Sequence, residues 1–197
     1  MALGVDNLPP DYLLTWHDWL RLEARDDRRY ELLGGELYVS PSPSMQHQRL
    51  VRDLLVEIHS YLSATGAGEV LPSPLGVRLS RRDVVEPDLL VLAAGSIPAA
   101  AAVATGERPF VHGAPALVVE VLSPGTARRD LGVKRALYER SGVGEYWIVD
   151  PLGEKIDVYA LVEGIFCWRG TFERGDELRS ATFPGLVIPL ERVFSRF

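Results

Sequence analysis

Residues 117–138, LVVEVLSPGTARRDLGVKRALY, decide the fold. Leu117, Val118 and Val119 begin a strand that would be apolar throughout, except that Glu120 interrupts it before Val121 and Leu122. A near-continuous apolar strand is one buried on both faces. A carboxylate inside it is costly unless a cation compensates it. The same pattern recurs at VVEPDLLVL, where Asp88 precedes another apolar run. Downstream, TARRDLGVKRALYERSG has helical spacing and stops near Gly142. At about 100° per residue, Lys134 falls among Leu131, Val133, Leu137 and Tyr138 on the apolar arc. A lysine there either snorkels to an edge or meets a buried anion. The short connection between strand and helix folds the helix back over the sheet, so Lys134 can face Glu120.

Working outward, the chain has 197 residues, enough for one core and short for two. It reads as a single domain, residues 1–197: an N-terminal helix and hairpin over 1–43, a core over 44–151, and a C-terminal hairpin and tail over 152–197. Thr15 with Asp18 is a capping-box pattern for a short helix. YELLGGELYVS is a hairpin around Gly34-Gly35. Ser44 caps a long helix whose face is Leu50, Val51, Leu54, Leu55, Ile58, Tyr61 and Leu62, with Gly66 as its stop. EVLPSPLGVRLS and VVEPDLLVLA are expected as two strands joined at Arg81-Arg82-Asp83, and residues 93–114 as a loop excursion. EYWIVD is a strand, and KIDVYALV pairs with IFCWRGTF. Strand, helix, strand with apolar middles predicts an α/β (α+β) fold: a central mixed β-sheet flanked by helices.

Composition excludes several classes. No window offers the roughly 18 uninterrupted apolar residues a membrane helix needs. The N-terminus has no basic region before Asp6, so a secretory signal is not expected. One cysteine, Cys167, rules out an internal disulfide framework and a cysteine-rich zinc site. A cytoplasmic location is expected by default. The net charge of −6 is wrong for a nucleic-acid coat but not for an enzyme whose acids hold metal. No nucleophile elbow, Walker loop, Rossmann fingerprint or H-E-x-x-H occurs.

From these residues alone, Glu120 and Lys134 read equally as a buried ion pair without chemistry. Asp88 alters the balance. Two carboxylates close together either share a proton or bind a hard cation such as Mg²⁺.

Glu86-Pro87-Asp88, followed by Val119-Glu120-Val121, resembles the PD-(D/E)XK nuclease signature. RYELLGGELYVS, HQRLV, EPDLLVL, PALVVEVLSP and GVGEYWIVDP, in that order, resemble one branch of that superfamily: bacterial "putative restriction endonuclease" domains of unknown function. The resemblance implies a restriction endonuclease-like fold and Mg²⁺- or Mn²⁺-dependent hydrolysis of phosphodiester bonds in nucleic acid, DNA in the first instance. Asp88 and Glu120 are the implied metal ligands, with a main-chain carbonyl near Val121. The superfamily's lysine stands two residues after the glutamate, where this chain has Leu122. Lys134 on the next helix fits the displaced position, to orient or deprotonate water or to stabilise the phosphorus centre. The resemblance also favours Glu31 as a site acid over a solvent-facing strand residue, and a homodimer. His47 has the spacing of a core histidine, with bonding to a site carboxylate or phosphate as the alternative. Arg128 and Arg129 are candidate phosphate contacts, against the plainer reading of a solvated face. The rival function is a non-catalytic nucleic-acid- or partner-binding protein that keeps the fold.

Overall fold

The computed structural model describes residues 12–22, 28–96, 101–102, 110–125 and 127–194. Thr15 and Asp18 form the expected capping box of α1, Trp16–Arg21. The first hairpin pairs β1, Arg29–Leu33, with β2, Glu36–Ser40. Its turn needs left-handed backbone at two successive positions, and Gly34 and Gly35 supply φ of 65° and 90°. The Ser44 hydroxyl accepts the His47 amide to cap α2, Met45–Thr65, and Gly66 ends it in the αL conformation.

The two strands expected before residue 94 are four. β3, Gly68–Pro72, pairs with β6, Leu89–Ala93, in one sheet. β4, Gly76–Arg78, pairs with β5, Val84–Val85, in another. Both chain segments cross between sheets at prolines, Pro74 on the way out and Pro87 on the return. Proline cannot donate to a ladder, so pairing breaks there. The region expected as a loop carries β7, Ala101–Ala102, and β8, Phe110–His112, which lies parallel to β4. Residues 97–100 and 103–109 of that region lie outside the described residues.

β9, Leu117–Val121, leads into a helical run, α3, made of an α-helical turn, Ala127–Arg129, a π-helical segment, Asp130–Lys134, and an α-helix, Arg135–Ser141. β10, Glu145–Asp150, then lies parallel to β9, as a strand–helix–strand unit requires. β11, Lys155–Val162, and β12, Ile165–Glu173, form the expected hairpin. The tail adds β13, Glu177–Arg179, β14, Val187–Pro189, and α4, Leu190–Val193.

The architecture is therefore mixed α+β with two six-stranded mixed sheets, not one: β2-β1-β5-β4-β8-β7 and β12-β11-β10-β9-β6-β3. Leu117, Val119 and Val121 pack with α2 and the tail, while Val118 packs on the opposite face with Leu137 and Tyr138 of α3. Both faces of β9 are buried, which is why its sequence is apolar at every position but one. Glu120 shares the α3 face. Among the described residues, no helix is long and apolar enough to cross a membrane.

Candidate active site

β6 and β9 run antiparallel with Leu89 opposite Val119 and Leu90 opposite Val118. Continued by one residue, that register sets Asp88 across from Glu120. The two acids line one cleft of about 790 Å³, with Glu31, Asp130 and Lys134 beside them. Asp88 is 1 % exposed, Glu120 3 % and Lys134 2 %.

The Lys134 ammonium reaches three carboxylates. It pairs with Glu120 Oε1, lies 2.9 Å from Glu31 Oε1 and 3.6 Å from Asp130 Oδ1. Glu31 arrives on β1, where it also accepts the Glu86 amide at 3.0 Å. Tyr138, one helical turn beyond Lys134, donates its hydroxyl to Glu120 Oε1 at 2.7 Å. The buried stripe of α3 is Asp130, Lys134, Leu137 and Tyr138. Leu131 and Val133, expected on that stripe, are instead 45 % and 51 % exposed. They flank the stripe on either side, and Asp130 takes the buried position.

Asp88 sits in a second cluster. Its Oδ2 accepts the Val121 amide at 2.7 Å and lies 3.0 Å from His47 Nε2, and its Oδ1 pairs with the Arg29 guanidinium. Of the alternatives for His47, the structure shows a bond to a site carboxylate. Its Nδ1 is buried without a hydrogen-bond partner among the described residues. Arg129 is half-buried and turns inward: it donates to Ser40 Oγ at 2.7 Å, lies 3.9 Å from Glu31 Oε2 and covers the Tyr38 ring. Arg128 is exposed and does not line the cleft.

Three contributors escaped the sequence reading. Arg29 stands two residues before Glu31 on the same strand face, which was its one visible signal. Asp130 stands four residues before Lys134 on one helix face. Glu86 lies within the motif that identified Asp88, and is buried in the same cleft.

The electrostatics follow from this crowding. Burial opposes the charge on Lys134, but Glu120, Glu31 and Asp130 outweigh it and hold the amine above its ordinary value. Burial drives Glu120 the other way. Lys134 pulls it down, yet Asp130, Asp88 and Glu31 add to burial, and it is pushed up to about 8. One ammonium serves three acids, so the lysine is over-compensated and the glutamate under-compensated. Burial alone would raise Asp88 too; the His47 hydrogen bond, the Arg29 and His47 charges and the Val121 amide bring it below the usual carboxylate value.

Six carboxylates, the buried Glu31, Glu86, Asp88, Glu120 and Asp130 and the half-buried Asp150, line the cleft with the buried Lys134 and the half-buried Arg29 and Arg129. The acids outnumber the cations, a setting that favours a divalent cation. Among the described residues, no three His, Cys, Asp or Glu side chains form a metal-binding group. Asp88 and Glu120, which line the cleft together, would offer a metal ion hard carboxylate oxygens. That set fits Mg²⁺, which keeps several waters and takes one or two carboxylates plus phosphate oxygens.

A family model described as Uma2, putative restriction endonuclease, matches residues 16–191. No curated protein matches the chain. Among solved structures, the chain is similar to a putative nuclease belonging to DUF820 from Anabaena variabilis ATCC 29413, with a TM-score of 0.74 and 18 % identity over 92 % of this chain and 98 % of that one. At that identity the likeness establishes a shared fold.

Proposed function

The chain belongs to the Uma2 family of putative restriction endonucleases, and on that premise we propose that it is a divalent-metal-dependent nuclease that hydrolyses phosphodiester bonds of DNA. The observation that carries this reading is the facing register of Asp88 and Glu120 with the Lys134 ammonium paired to Glu120, all at the floor of one cleft.

Asp88, Glu120 and the Val121 carbonyl would hold Mg²⁺ or Mn²⁺. Such an ion supplies an acidified water and neutralises charge developing on the phosphate. The chain's own residues do the rest. Lys134, kept protonated by three acids, acts as a fixed positive charge beside the reacting phosphate, not as a base. Glu31 and Asp130 hold that ammonium in place. Tyr138 fixes the Glu120 carboxylate by its hydroxyl, and His47 with the Val121 amide fixes Asp88. Arg129 braces Glu31 from the rim. In the overall reaction one water adds to phosphorus and one P–O ester bond breaks, leaving a phosphate monoester and an alcohol.

The reading takes residues 1–197 as one domain, acting in the cytoplasm, where a chain with a lone cysteine is at home. It takes a homodimer as the active form, since cutting both strands of a duplex needs two sites.

Incubation with plasmid and single-stranded DNA tests the proposal. Mg²⁺-dependent cleavage by the wild type, lost in Asp88→Asn and Glu120→Gln, is expected. Cleavage that survives both substitutions contradicts the site assignment. A wild type that binds DNA without cleaving it supports the non-catalytic binding protein instead.

A further inference from the structure

We propose that Arg29 is a positioning residue that exchanges partners: it neutralises Asp88 before the metal binds and passes to a phosphate of the substrate afterwards. This rests on the nuclease reading above and adds a coupling between metal and substrate to it.

A carboxylate offers about four lone-pair positions. Asp88 has three groups on it, the Val121 amide, His47 Nε2 and the Arg29 guanidinium. Two of them fill Oδ2, so an ion entering at Asp88 meets Arg29 on Oδ1, the one oxygen with a position left. The Val121 amide is backbone of a central strand and cannot leave. His47 is buried on the first turn of α2 and has little room to turn. Arg29 differs from both. Its side chain is 17 % exposed, it comes from the first residue of β1, and it alone holds Oδ1. A long side chain with a solvent-facing flank leaves most readily.

Displacement is electrostatically sound. The cleft's excess of carboxylates over cations favours a divalent ion over a single guanidinium at Asp88. Arg29 lines the cleft itself, so once displaced it stays beside the entering substrate. A guanidinium presents paired donors that match phosphate oxygens. Metal binding then liberates the group that grips the phosphodiester, and a phosphodiester that takes Arg29 exposes Asp88 to the metal. Each ligand strengthens the other by the same factor.

Calorimetric titration with Mn²⁺ alone, without nucleic acid, tests the exchange. Arg29→Met removes the competitor and is expected to bind Mn²⁺ about tenfold tighter or more than the wild type. In the wild type, Mn²⁺ is expected to tighten binding of a single-stranded oligonucleotide with a non-hydrolysable backbone, and this gain disappears in Arg29→Met. A residue with a merely structural role would weaken the metal site when removed, so the rise in affinity is diagnostic. Mn²⁺ affinity unchanged or lowered in Arg29→Met, with the wild-type site saturable, overturns the exchange and leaves the nuclease reading standing. Absence of any saturable Mn²⁺ site in wild type and variant overturns both. Should Arg29→Met lose its native circular dichroism, Arg29→Lys carries the test with the same ranking: tighter Mn²⁺ binding than wild type supports the exchange, and equal or weaker binding overturns it.

Discussion

Lys134 Nζ lies 2.9 Å from Glu31 Oε1 and also pairs with Glu120. One ammonium thus ties the first hairpin of one sheet to a central strand of the other. The site is assembled where the two sheets meet, and the ion pair is part of what holds them in register.

Lys134→Ala should therefore fail in two separable ways. It leaves Glu31, Glu120 and Asp130 buried around an empty volume. Breaking a buried pair from one side costs about 3–5 kcal/mol, read as a lowered guanidinium midpoint. Lys134→Met keeps the volume without the charge, and is expected to lose nuclease activity as completely as Lys134→Ala.

Glu120 gives a signed dependence on pH. Its folded-state value, about 8, lies above its ordinary 4.5. The folded protein therefore holds a proton that the unfolded chain has released across that window. Stability from this group is fully present below about pH 4.5 and declines as pH rises towards about 8. Urea unfolding across that range should show the decline in the wild type and a flatter profile in Glu120→Gln. The opposite slope in the wild type would mean that Lys134 dominates Glu120 entirely.

Glu145 makes a structural contrast to the cleft acids. It is fully buried and accepts from Trp147 Nε1 at 2.8 Å, Ser180 Oγ at 2.6 Å, and the Ala181 and Thr182 amides at 3.1 and 3.0 Å. It pins the tail to β10 and does not line the cleft. Glu145→Ala is expected to cost about 3 kcal/mol by thermal or chemical unfolding, because it strands buried donors. DNA cleavage per folded molecule should not change.

The cleft also predicts strandedness. A scissile phosphate must come down to carboxylates buried to within a few per cent, between walls that include Pro41, Pro43, Pro124 and Pro151, with exposed Leu152 at the mouth. Unpaired bases can pack on such walls. A single-stranded oligonucleotide is expected to be cut about tenfold faster or more than its own duplex, since unpairing costs a few kcal/mol. Equal rates would show that the duplex enters without opening.

Much of this was legible in the chain. The helix from Ser44 to Gly66, the Gly34-Gly35 hairpin and the buried setting of Glu120 and Lys134 follow from caps, turn residues and periodicity, all local signals. The π-helical opening of α3 was not legible, so Leu131 and Val133 were placed on a stripe that Asp130 occupies. Nor was the division into two sheets, because Pro74 and Pro87 mark where a strand breaks but not which sheet it joins next. Arg29 lies 59 residues from Asp88 in sequence, and no local pattern reports a partner at that distance. The acids were readable because a carboxylate in an apolar strand is anomalous; the arginine was not, because an arginine at a strand's start is ordinary.

The most direct test of the central claim is a crystal soaked in Mn²⁺ and measured at the manganese absorption edge. One anomalous peak is expected in the cleft at the Asp88 and Glu120 carboxylates, with the Arg29 guanidinium turned away from Asp88 Oδ1. An empty cleft, or a peak bound elsewhere while Arg29 keeps its grip on Asp88, would contradict it.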